Sequence, residues 1–444
     1  MEKVIIVGAG LVGSLQAIHM AKKGYKVEVY ERRPDMRKVD LIAGRSINLA
    51  LSNRGWKAIS EAGIESEIEK IAIPMRGRMM HDEEGNTTFQ QYGKDDEAIY
   101  SVSRGLLNQK LMTCAGEFEN VEFFFNHKCL DVNLVSNELT FLDTISNEKE
   151  KVTNGKIFAT DGAFSVIRKR LMKTDRFNYQ QMYLEHGYKE LTIPPDKNGG
   201  FKIDKNALHI WPRGEYMMIA LPNEDGSFTC TLFFPYEGEN SFESLKTKAD
   251  VEKFFGNVFP DAVEVMPNLV EEYFENPTAS LVTVRCSPWN YKDQIIMIGD
   301  SSHAIVPFYG QGMNSGFEDC TVFNQIFELN NRNWEKSFKA FSDTRKKDAD
   351  AISNLALQNF IEMRDLVADE SFLLRKKIEK KIYSKYPEKW VPLYSQVTFS
   401  HTPYSEALAN GKRQEKIMDC IMAKENIEQL WDSQEVEHEI LEMI

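Results

Sequence analysis

The stretch VIIVGAGLVG, at residues 4–13, decides the fold of the chain. Its first four residues are apolar and β-branched, which predicts a short, buried parallel strand. Gly8 then permits a tight turn, Gly10 permits the close approach of a pyrophosphate, and Gly13 permits a helix to pack closely on the strand. The stretch is therefore typical of the first turn of a dinucleotide-binding domain.

The residues after this stretch complete a β-α-β unit. Residues 14–23 predict a helix that ends at Gly24, and residues 26–30 predict a second strand. Glu31 ends that strand, 23 residues after Gly8, where an acid binds ribose hydroxyls. The helix N-terminus offers free N–H groups to phosphates. A glycine-rich turn without a ligand is the structural alternative, and the four parts together argue against it.

Two later stretches show a strand followed by an acidic turn: KIFATDG at residues 156–162 and IIMIGD at residues 295–300. Asp300 is placed to bind the ribityl chain of a flavin. The segment PFYGQGMNSG, at residues 307–316, has small residues where a planar ring can approach the backbone. A helix starting near Gly312 would direct its N–H groups at the pyrimidine edge of that ring. These stretches favour FAD over a nicotinamide as the resident cofactor.

The predicted fold is α/β: a Rossmann-like FAD-binding domain with an inserted antiparallel-sheet substrate domain and a C-terminal helical region. Short strand-like runs separated by turn residues predict the inserted sheet. Lysine, glutamate, leucine and isoleucine with few breakers predict the helical end. The predicted segments are 1–75, 101–175 and 281–340 for the FAD-binding domain, 76–100 for a substrate-domain hairpin, 176–280 for the substrate sheet, and 341–444 for the helical region.

Composition excludes several function classes. The net charge of −13 argues against sequence-independent nucleic-acid binding, which needs a basic surface. No apolar run approaches the roughly 20 residues of a membrane span, and residues 425–444 are acidic and amphipathic, so we expect no membrane anchor.

The six cysteines are too far apart for a zinc or redox motif, which predicts reduced thiols in a cytoplasmic protein. No arrangement of His, Asp, Glu and Cys predicts a metal site.

These motifs resemble those of the class A flavoprotein monooxygenases, aromatic hydroxylases with the para-hydroxybenzoate hydroxylase fold and a GR2-type FAD-binding domain. The resemblance extends from Val4 to about Tyr404 and is finest to the members that hydroxylate L-kynurenine. The combination around Arg45 and around Phe308 is the specific part. The resembling stretches are residues 44–52, 78–81, 100–104, 303–320, 359–364 and 392–400.

The resemblance implies two groups of contacts in addition to the three glycines. The implied FAD contacts are Val12, Glu31, Arg32, Ala50, Arg104, Asp300, Met313 and Asn314. The implied substrate contacts are Arg78, Tyr92, Asn359 and Tyr394, with Glu362 and Met363 close by. Pro307, Phe308 and Gln311 are implied to line the space beside the reactive edge of the flavin, and no catalytic base is assigned.

The sequence itself supports one of these pairings. Arg78 and Tyr92 are each seven residues from Gly85, so a hairpin symmetric about Gly85 would place them within one position of register. A guanidinium beside a phenol is a good carboxylate clamp; a surface pair is the alternative. Asn359 and Glu362 share a helix face, which is either a substrate contact or solvated. Tyr394, before a β-like run, is either a substrate contact or a core residue.

The activity implied by the resemblance is hydroxylation of L-kynurenine by O2 to 3-hydroxy-L-kynurenine and water through a C4a-hydroperoxyflavin, with NADPH as a transient reductant. The cofactor carries this chemistry, and the protein holds the ring and excludes water. Another aromatic amine or acid is the alternative substrate. A non-catalytic partner-binding protein is disfavoured by Glu31, Arg104 and Asp300, and a halogenase by the absence of lysine from residues 299–316.

Overall fold

The computed structural model describes residues 2–38, 48–94, 97–363 and 369–444. Arg45 and Arg364, from two of the resembling stretches, lie outside the described residues. The strands are β1 (Lys3–Val7), β2 (Lys26–Tyr30), β3 (Asn48–Leu51), β4 (Ile73–Met75), β5 (Gly77–His81), β6 (Thr87–Gln91), β7 (Ile99–Ser103), β8 (Val121–Phe124), β9 (His127–Asn133), β10 (Glu138–Asp143), β11 (Lys149–Val152), β12 (Lys156–Ala159), β13 (Asn178–Ile193), β14 (Ala207–Arg213), β15 (Tyr216–Pro222), β16 (Phe228–Pro235), β17 (Ala279–Ser287), β18 (Asn290–Tyr291) and β19 (Ile295–Met297).

The helices complete the set of elements. They are α1 (Leu11–Lys22), α2 (Asn53–Ala62), α3 (Glu65–Glu69), α4 (Arg104–Gly116), α5 (Val166–Leu171), α6 (Lys248–Val258), α7 (Pro260–Val265), α8 (Leu269–Glu275), α9 (Gly312–Leu329), α10 (Trp334–Ile361), α11 (Glu370–Lys385), α12 (Leu393–Thr398), α13 (Tyr404–Met422), α14 (Ile427–Leu430) and α15 (Gln434–Met443). Short 3₁₀ turns lie at Met36–Lys38, Gly299–Ser301 and Pro307–Tyr309.

A six-stranded sheet forms the centre of the FAD-binding part, in the order β18-β19-β12-β1-β2-β8. All its pairs are parallel except β18 with β19. Val4, Ile5 and Ile6 of β1 are fully buried, as the apolar run predicts. Helix α1 starts at Leu11 rather than at Ser14, because Gly10 already occupies the N-cap position with extended backbone. The predicted α/β class with a strand-glycine-helix-strand start is confirmed.

A seven-stranded sheet, in the order β17-β13-β16-β15-β14-β5-β6, lies where the sequence predicts the inserted sheet. The early hairpin β5-β6 joins its edge through β14. The prediction of an antiparallel sheet is wrong at one place, since β5 and β14 pair in parallel. Strand β5 is far from β14 in sequence, so no tight turn connects the two strands. A tight turn would require antiparallel pairing, and without one the strands can pair in parallel.

Helices α10 to α15 form the C-terminal region, as predicted from composition. One detail differs: the β-like run after Tyr394 is the short helix α12, with Val397 and Thr398 buried. Burial on a helix has overridden the strand preference of these β-branched residues. Among the described residues, no helix combines the length and apolar character needed to cross a bilayer.

Helix α1 contains a buried histidine that makes stability depend on pH. Burial, with smaller contributions from Lys23 and Lys22, lowers the pKa of His19 from 6.5 to about 3. The unfolded chain therefore binds a proton below pH 6.5 that the folded chain does not bind, so the free energy of unfolding falls as the pH drops. Between pH 6.5 and pH 5, this linkage removes about 2 kcal/mol. We expect His19→Leu to abolish that part of the loss.

Urea unfolding at pH 7 and at pH 5 measures this effect. His438→Gln is the matched control, because that histidine is exposed near the C-terminus and its change leaves the acid loss at the wild-type value. Equal acid losses in wild type and His19→Leu would contradict the assignment.

Candidate active site

The glycine turn after β1 leaves one open position. A Cβ atom on Gly8, whose φ is +104°, would lie 2.6 Å from the Thr160 carbonyl oxygen, and one on Gly13 would lie 2.0 Å from the Gly8 carbonyl oxygen. A Cβ on Gly10 would meet no protein atom within 4 Å. Gly8 and Gly13 are therefore required by the protein's own packing, whereas the space in front of Gly10 is available to a ligand.

Glu31 fastens this turn to the end of β2. Its buried carboxylate accepts hydrogen bonds from the Ala9 N–H at 2.9 Å and from the Arg33 N–H and Nε at 3.0 and 2.8 Å. A carboxylate has about four acceptor positions, so it retains capacity for a ribose hydroxyl. Arg32 lies beside it and is exposed.

Asp300 lies in the short 3₁₀ turn after β19. Its side chain is accessible to solvent, yet burial raises its pKa, against the lowering effect of Arg104 and His303. Arg104, at the start of α4, is exposed and within charge reach of this carboxylate. The turn itself is held from below, because Arg168 donates to the Ser301 carbonyl oxygen at 2.8 Å. Helix α5, which follows the acidic turn at residues 156–162, thus supports the acidic turn that contains Asp300.

Val12 joins the glycine turn to the two later segments. Its methyl groups lie 3.0 Å from the Cβ position of Gly299 and 2.7 Å from that of Gly316. A Cβ atom at either glycine would displace the Val12 side chain. The start of α1, the Asp300 turn and helix α9 therefore meet at one point.

Asn314 joins β3 to the start of α9. Its Nδ2 donates to the carbonyl oxygens of Ala50 and Gly310 at 2.8 and 2.7 Å, and its Oδ1 accepts from the Ser52 N–H at 2.9 Å. Both amide hydrogens of the side chain are therefore used within the protein, which leaves the backbone and one acceptor position of Oδ1 for a cofactor. Met313, next to it, is buried.

These positions fit FAD. The open space at Gly10 adjoins the N-terminus of α1, which suits a pyrophosphate. Glu31 and Asp300 provide carboxylates at the ends of two parallel strands, where hydroxyl groups of the cofactor need acceptors. The free N–H groups at the start of α9 favour the negative charge of a reduced flavin ring.

The second half of the site is a stack of three tyrosine rings beside an arginine. The Tyr92 and Tyr394 ring centres are 5.4 Å apart, and those of Tyr309 and Tyr394 are 5.6 Å apart, with nearly parallel planes. The Arg78 guanidinium carbon lies 4.9 Å from the Tyr394 ring centre and 5.8 Å from that of Tyr92. Tyr309 was not predicted from the sequence; its only signal is its position directly after Phe308.

Two buried polar atoms of this group have no hydrogen-bond partner among the described residues: Nε of Arg78 and the hydroxyl of Tyr92. Burial would lower the pKa of Arg78, but Tyr394, Tyr92 and Glu362 raise it above its ordinary value. Burial, with Tyr394, raises the pKa of Tyr92 well above its ordinary value. The site therefore presents a permanent cation and a neutral phenol donor, the chemistry that binds a carboxylate.

The predicted register of the hairpin was wrong: its centre lies one residue earlier, which puts Arg78 and Tyr92 two positions out of register rather than within one. Arg78 pairs with Gln90, and the Tyr92 N–H donates to the Arg76 carbonyl oxygen, so the hairpin is centred on Glu84 rather than Gly85. Tyr92 lies two positions from the partner of Arg78 and on the same face, a diagonal neighbour within reach of long side chains.

The end of α10 closes the site from the other side. The Nδ2 group of Asn359 donates to the Phe308 carbonyl oxygen at 2.7 Å and to the Met363 sulfur at 3.2 Å. Only the Oδ1 atom of Asn359 is left for a ligand. Glu362 is close enough to influence the pKa values of both Arg78 and Tyr309.

The segment from Pro307 to Gln311 forms an apolar wall. The Phe308 ring stacks on Phe360 with centres 3.9 Å apart and contacts Phe233 at 4.9 Å. Gln311 is buried and accepts a hydrogen bond from Tyr404. An aromatic ring placed against this wall would lose most of its contact with water.

Comparison with known proteins identifies the family. Residues 1–352 match the family model described as FAD binding domain. The chain is 52% identical over 444 residues to kynurenine 3-monooxygenase of Flavobacterium psychrophilum, covering 100% of this chain and 98% of that protein. It is 45% identical over 431 residues to the protein of that name from Dictyostelium discoideum, covering 94% and 92%.

Solved structures support the fold. A tetrameric form of 2-methyl-3-hydroxypyridine-5-carboxylic acid oxygenase superposes with a TM-score of 0.67 at 16% identity, covering 88% of this chain and 98% of that one. The p-nitrophenol 4-monooxygenase of Pseudomonas putida superposes with a TM-score of 0.65 at 15% identity, covering 93% and 99%. The resemblance inferred from the motifs is confirmed, and the chain belongs to the kynurenine 3-monooxygenase family.

Proposed function

We propose that this chain is an FAD-dependent monooxygenase that uses NADPH and O2 to hydroxylate L-kynurenine. In the balanced reaction, L-kynurenine, NADPH, O2 and a proton give 3-hydroxy-L-kynurenine, NADP⁺ and water. The observation that carries the proposal is the unpartnered Arg78 Nε and Tyr92 hydroxyl, buried in a tyrosine stack that includes Tyr309 of the Pro307–Gln311 segment. FAD, when bound, supplies the activation of O2. The protein supplies binding, orientation and exclusion of water.

The amino-acid head of kynurenine is a zwitterion, and the site offers both charges. Its carboxylate would accept from the Arg78 guanidinium and the Tyr92 hydroxyl, where two donors of the protein are otherwise unsatisfied. Its ammonium group would lie near Glu362, the carboxylate that acts on Arg78. Tyr394 stacks between Tyr92 and Tyr309 and keeps the guanidinium against an aromatic face.

The aromatic end of kynurenine would then lie against the wall formed by Phe308 and Phe360. The Oδ1 atom of Asn359 is an acceptor for the ring amine. That amine already donates electrons to the carbon that is hydroxylated, so no strong base is needed to activate the ring. The apolar wall excludes water, which would otherwise promote loss of the activated oxygen as hydrogen peroxide.

The experiment is NADPH consumption by the FAD-loaded protein with and without L-kynurenine, with mass analysis of the product. We expect strong stimulation and a product that is one oxygen atom heavier than kynurenine. Stimulation with hydrogen peroxide alone would mean that kynurenine is an effector and that another aromatic amine or acid is the substrate. No stimulation of an FAD-bound protein would refute the kynurenine assignment.

A further inference from the structure

Gln311 stands between the apolar wall and the start of α9, and its amide is held by one contact. Its Oε1 accepts a hydrogen bond from the Tyr404 hydroxyl at 2.9 Å. Its Nε2 has no hydrogen-bond partner within the described ranges. Gln311 itself is 1% exposed, so its orientation is fixed by its immediate neighbours. When a donor holds the oxygen of an amide, the position of its NH2 group is fixed as well, because both groups are bonded to the same planar carbon.

The residues around Tyr404 fix the position of its hydroxyl group. It is the first residue of α13 and is fully buried, with the Arg54 and Arg345 guanidinium carbons 4.0 and 5.6 Å from its ring centre. Burial is the main reason why its pKa lies above the ordinary value, so it stays protonated and can donate. The amide oxygen of Gln311 is the acceptor it reaches.

The two arginines are themselves immobilised. Glu318 pairs with Arg54 at 2.5 Å and with Arg345 at 2.7 Å, and Arg345 also donates to Asp319 at 2.8 Å. Glu318 and Asp319 lie on α9, whose N-terminus faces the cofactor side of the site. The ring of Tyr404 is therefore fixed relative to the helix that Gln311 precedes.

We propose that Tyr404 is a positioning residue: its hydroxyl fixes the Gln311 amide so that the NH2 group donates to the oxygen being transferred to the aromatic ring. This inference rests on the proposed function. Without the Tyr404 hydroxyl, the amide can turn over and present its oxygen, which repels the same group. The oxygen would then leave more often as hydrogen peroxide, with substrate binding unchanged.

The test is Tyr404→Phe, which keeps the ring between its neighbours and removes only the hydroxyl. We expect the ratio of hydroxylated product to hydrogen peroxide to fall about tenfold, the size of one lost hydrogen bond in the reacting state. The dissociation constant for L-kynurenine, measured by titration of the flavin absorbance, should stay at the wild-type value. The melting temperature of the protein without FAD should fall by no more than a few degrees, the effect of one lost buried hydrogen bond. A merely structural role would lower stability and substrate affinity without a separate loss of coupling.

Two further variants keep the test decisive. Gln311→Glu retains an acceptor for Tyr404 but loses the NH2 group, so it should show the same loss of coupling even if Tyr404→Phe folds poorly. The double variant should be no worse than Gln311→Glu alone. Tyr273→Phe is the matched control, because that phenol is buried without a hydrogen-bond partner in the described structure, in the separate core beneath the substrate sheet.

Wild-type coupling in Tyr404→Phe, or additive losses in the double variant, would overturn the proposal. If the wild-type protein does not hydroxylate kynurenine at all, the proposed function fails instead, and this result is seen before any variant is compared.

Discussion

Replacing Arg78 by alanine is expected to raise the KM for L-kynurenine by about 100-fold or more, because a buried, charge-assisted pair is worth roughly 3 kcal/mol or more when one partner is removed. The guanidinium has no fixed carboxylate of its own at bonding distance among the described residues, so its donors are available to the substrate. Its loss would leave the substrate carboxylate and the Tyr92 hydroxyl without their charged partner. Steady-state kinetics with varied kynurenine measure this change.

Two comparisons separate recognition of the head group from general damage. An aromatic amine that keeps the ketone but lacks the amino-acid head, such as 2-aminoacetophenone, should be turned over equally by wild type and Arg78→Ala. Arg413→Ala is the matched control, since that arginine is exposed on α13. An unchanged KM for kynurenine in Arg78→Ala would contradict the proposed clamp and direct attention to Glu362 as the main contact.

Replacing Gly10 by alanine is expected to weaken FAD binding by about 100-fold while the protein without FAD stays as stable as the wild type. The added methyl group meets no protein atom within 4 Å and the φ of −72° suits alanine. In the loaded protein, the same methyl group would occupy the space of the pyrophosphate, and such crowding costs roughly 1–3 kcal/mol. Fluorescence titration with FAD and thermal unfolding of the protein without FAD give the two numbers.

Alanine substitutions at two other glycines serve as comparisons for this result. Gly256→Ala is the matched control, because its methyl group also meets open space, but on helix α6, and FAD affinity should not change. Gly13→Ala should lower stability and FAD binding together, since its methyl group would lie 2.0 Å from a backbone oxygen. Unchanged FAD affinity in Gly10→Ala would mean that the pyrophosphate does not approach this turn.

The start of the chain could be predicted in detail because its geometry is local. The three glycines of the turn, two strands and Glu31 lie within residues 4–31, and Gly8 and Gly13 are each required by close backbone packing. The start of a helix near Gly312 could be predicted for the same reason, because the small residues before it form a local pattern. What these motifs could not specify was the use of Asn314, whose side chain binds residues more than 260 positions earlier.

The substrate side was less predictable because it is assembled from distant segments. The Arg78 and Tyr92 pair was found within one hairpin, but its register was wrong because the turn is centred one residue earlier. Tyr309 and Phe360 lie inside resembling stretches but were assigned no role, because only the fold shows that Phe360 stacks on Phe308 and Tyr309 on Tyr394. The contact of Tyr404 with Gln311 spans 93 residues and has no sequence signal.

The order of strands in the central sheet also has a consequence for synthesis of the chain. Strand β1 needs β12 as its neighbour, and β12 needs β19, which ends at Met297. At about 5–20 residues per second, the nascent chain waits roughly 15 to 60 s between the emergence of the first strand and the last. During that time the parallel sheet lacks its last strand and one edge of β12 is unpaired, so the ribosome-bound chain is exposed to aggregation while its FAD fingerprint is already complete.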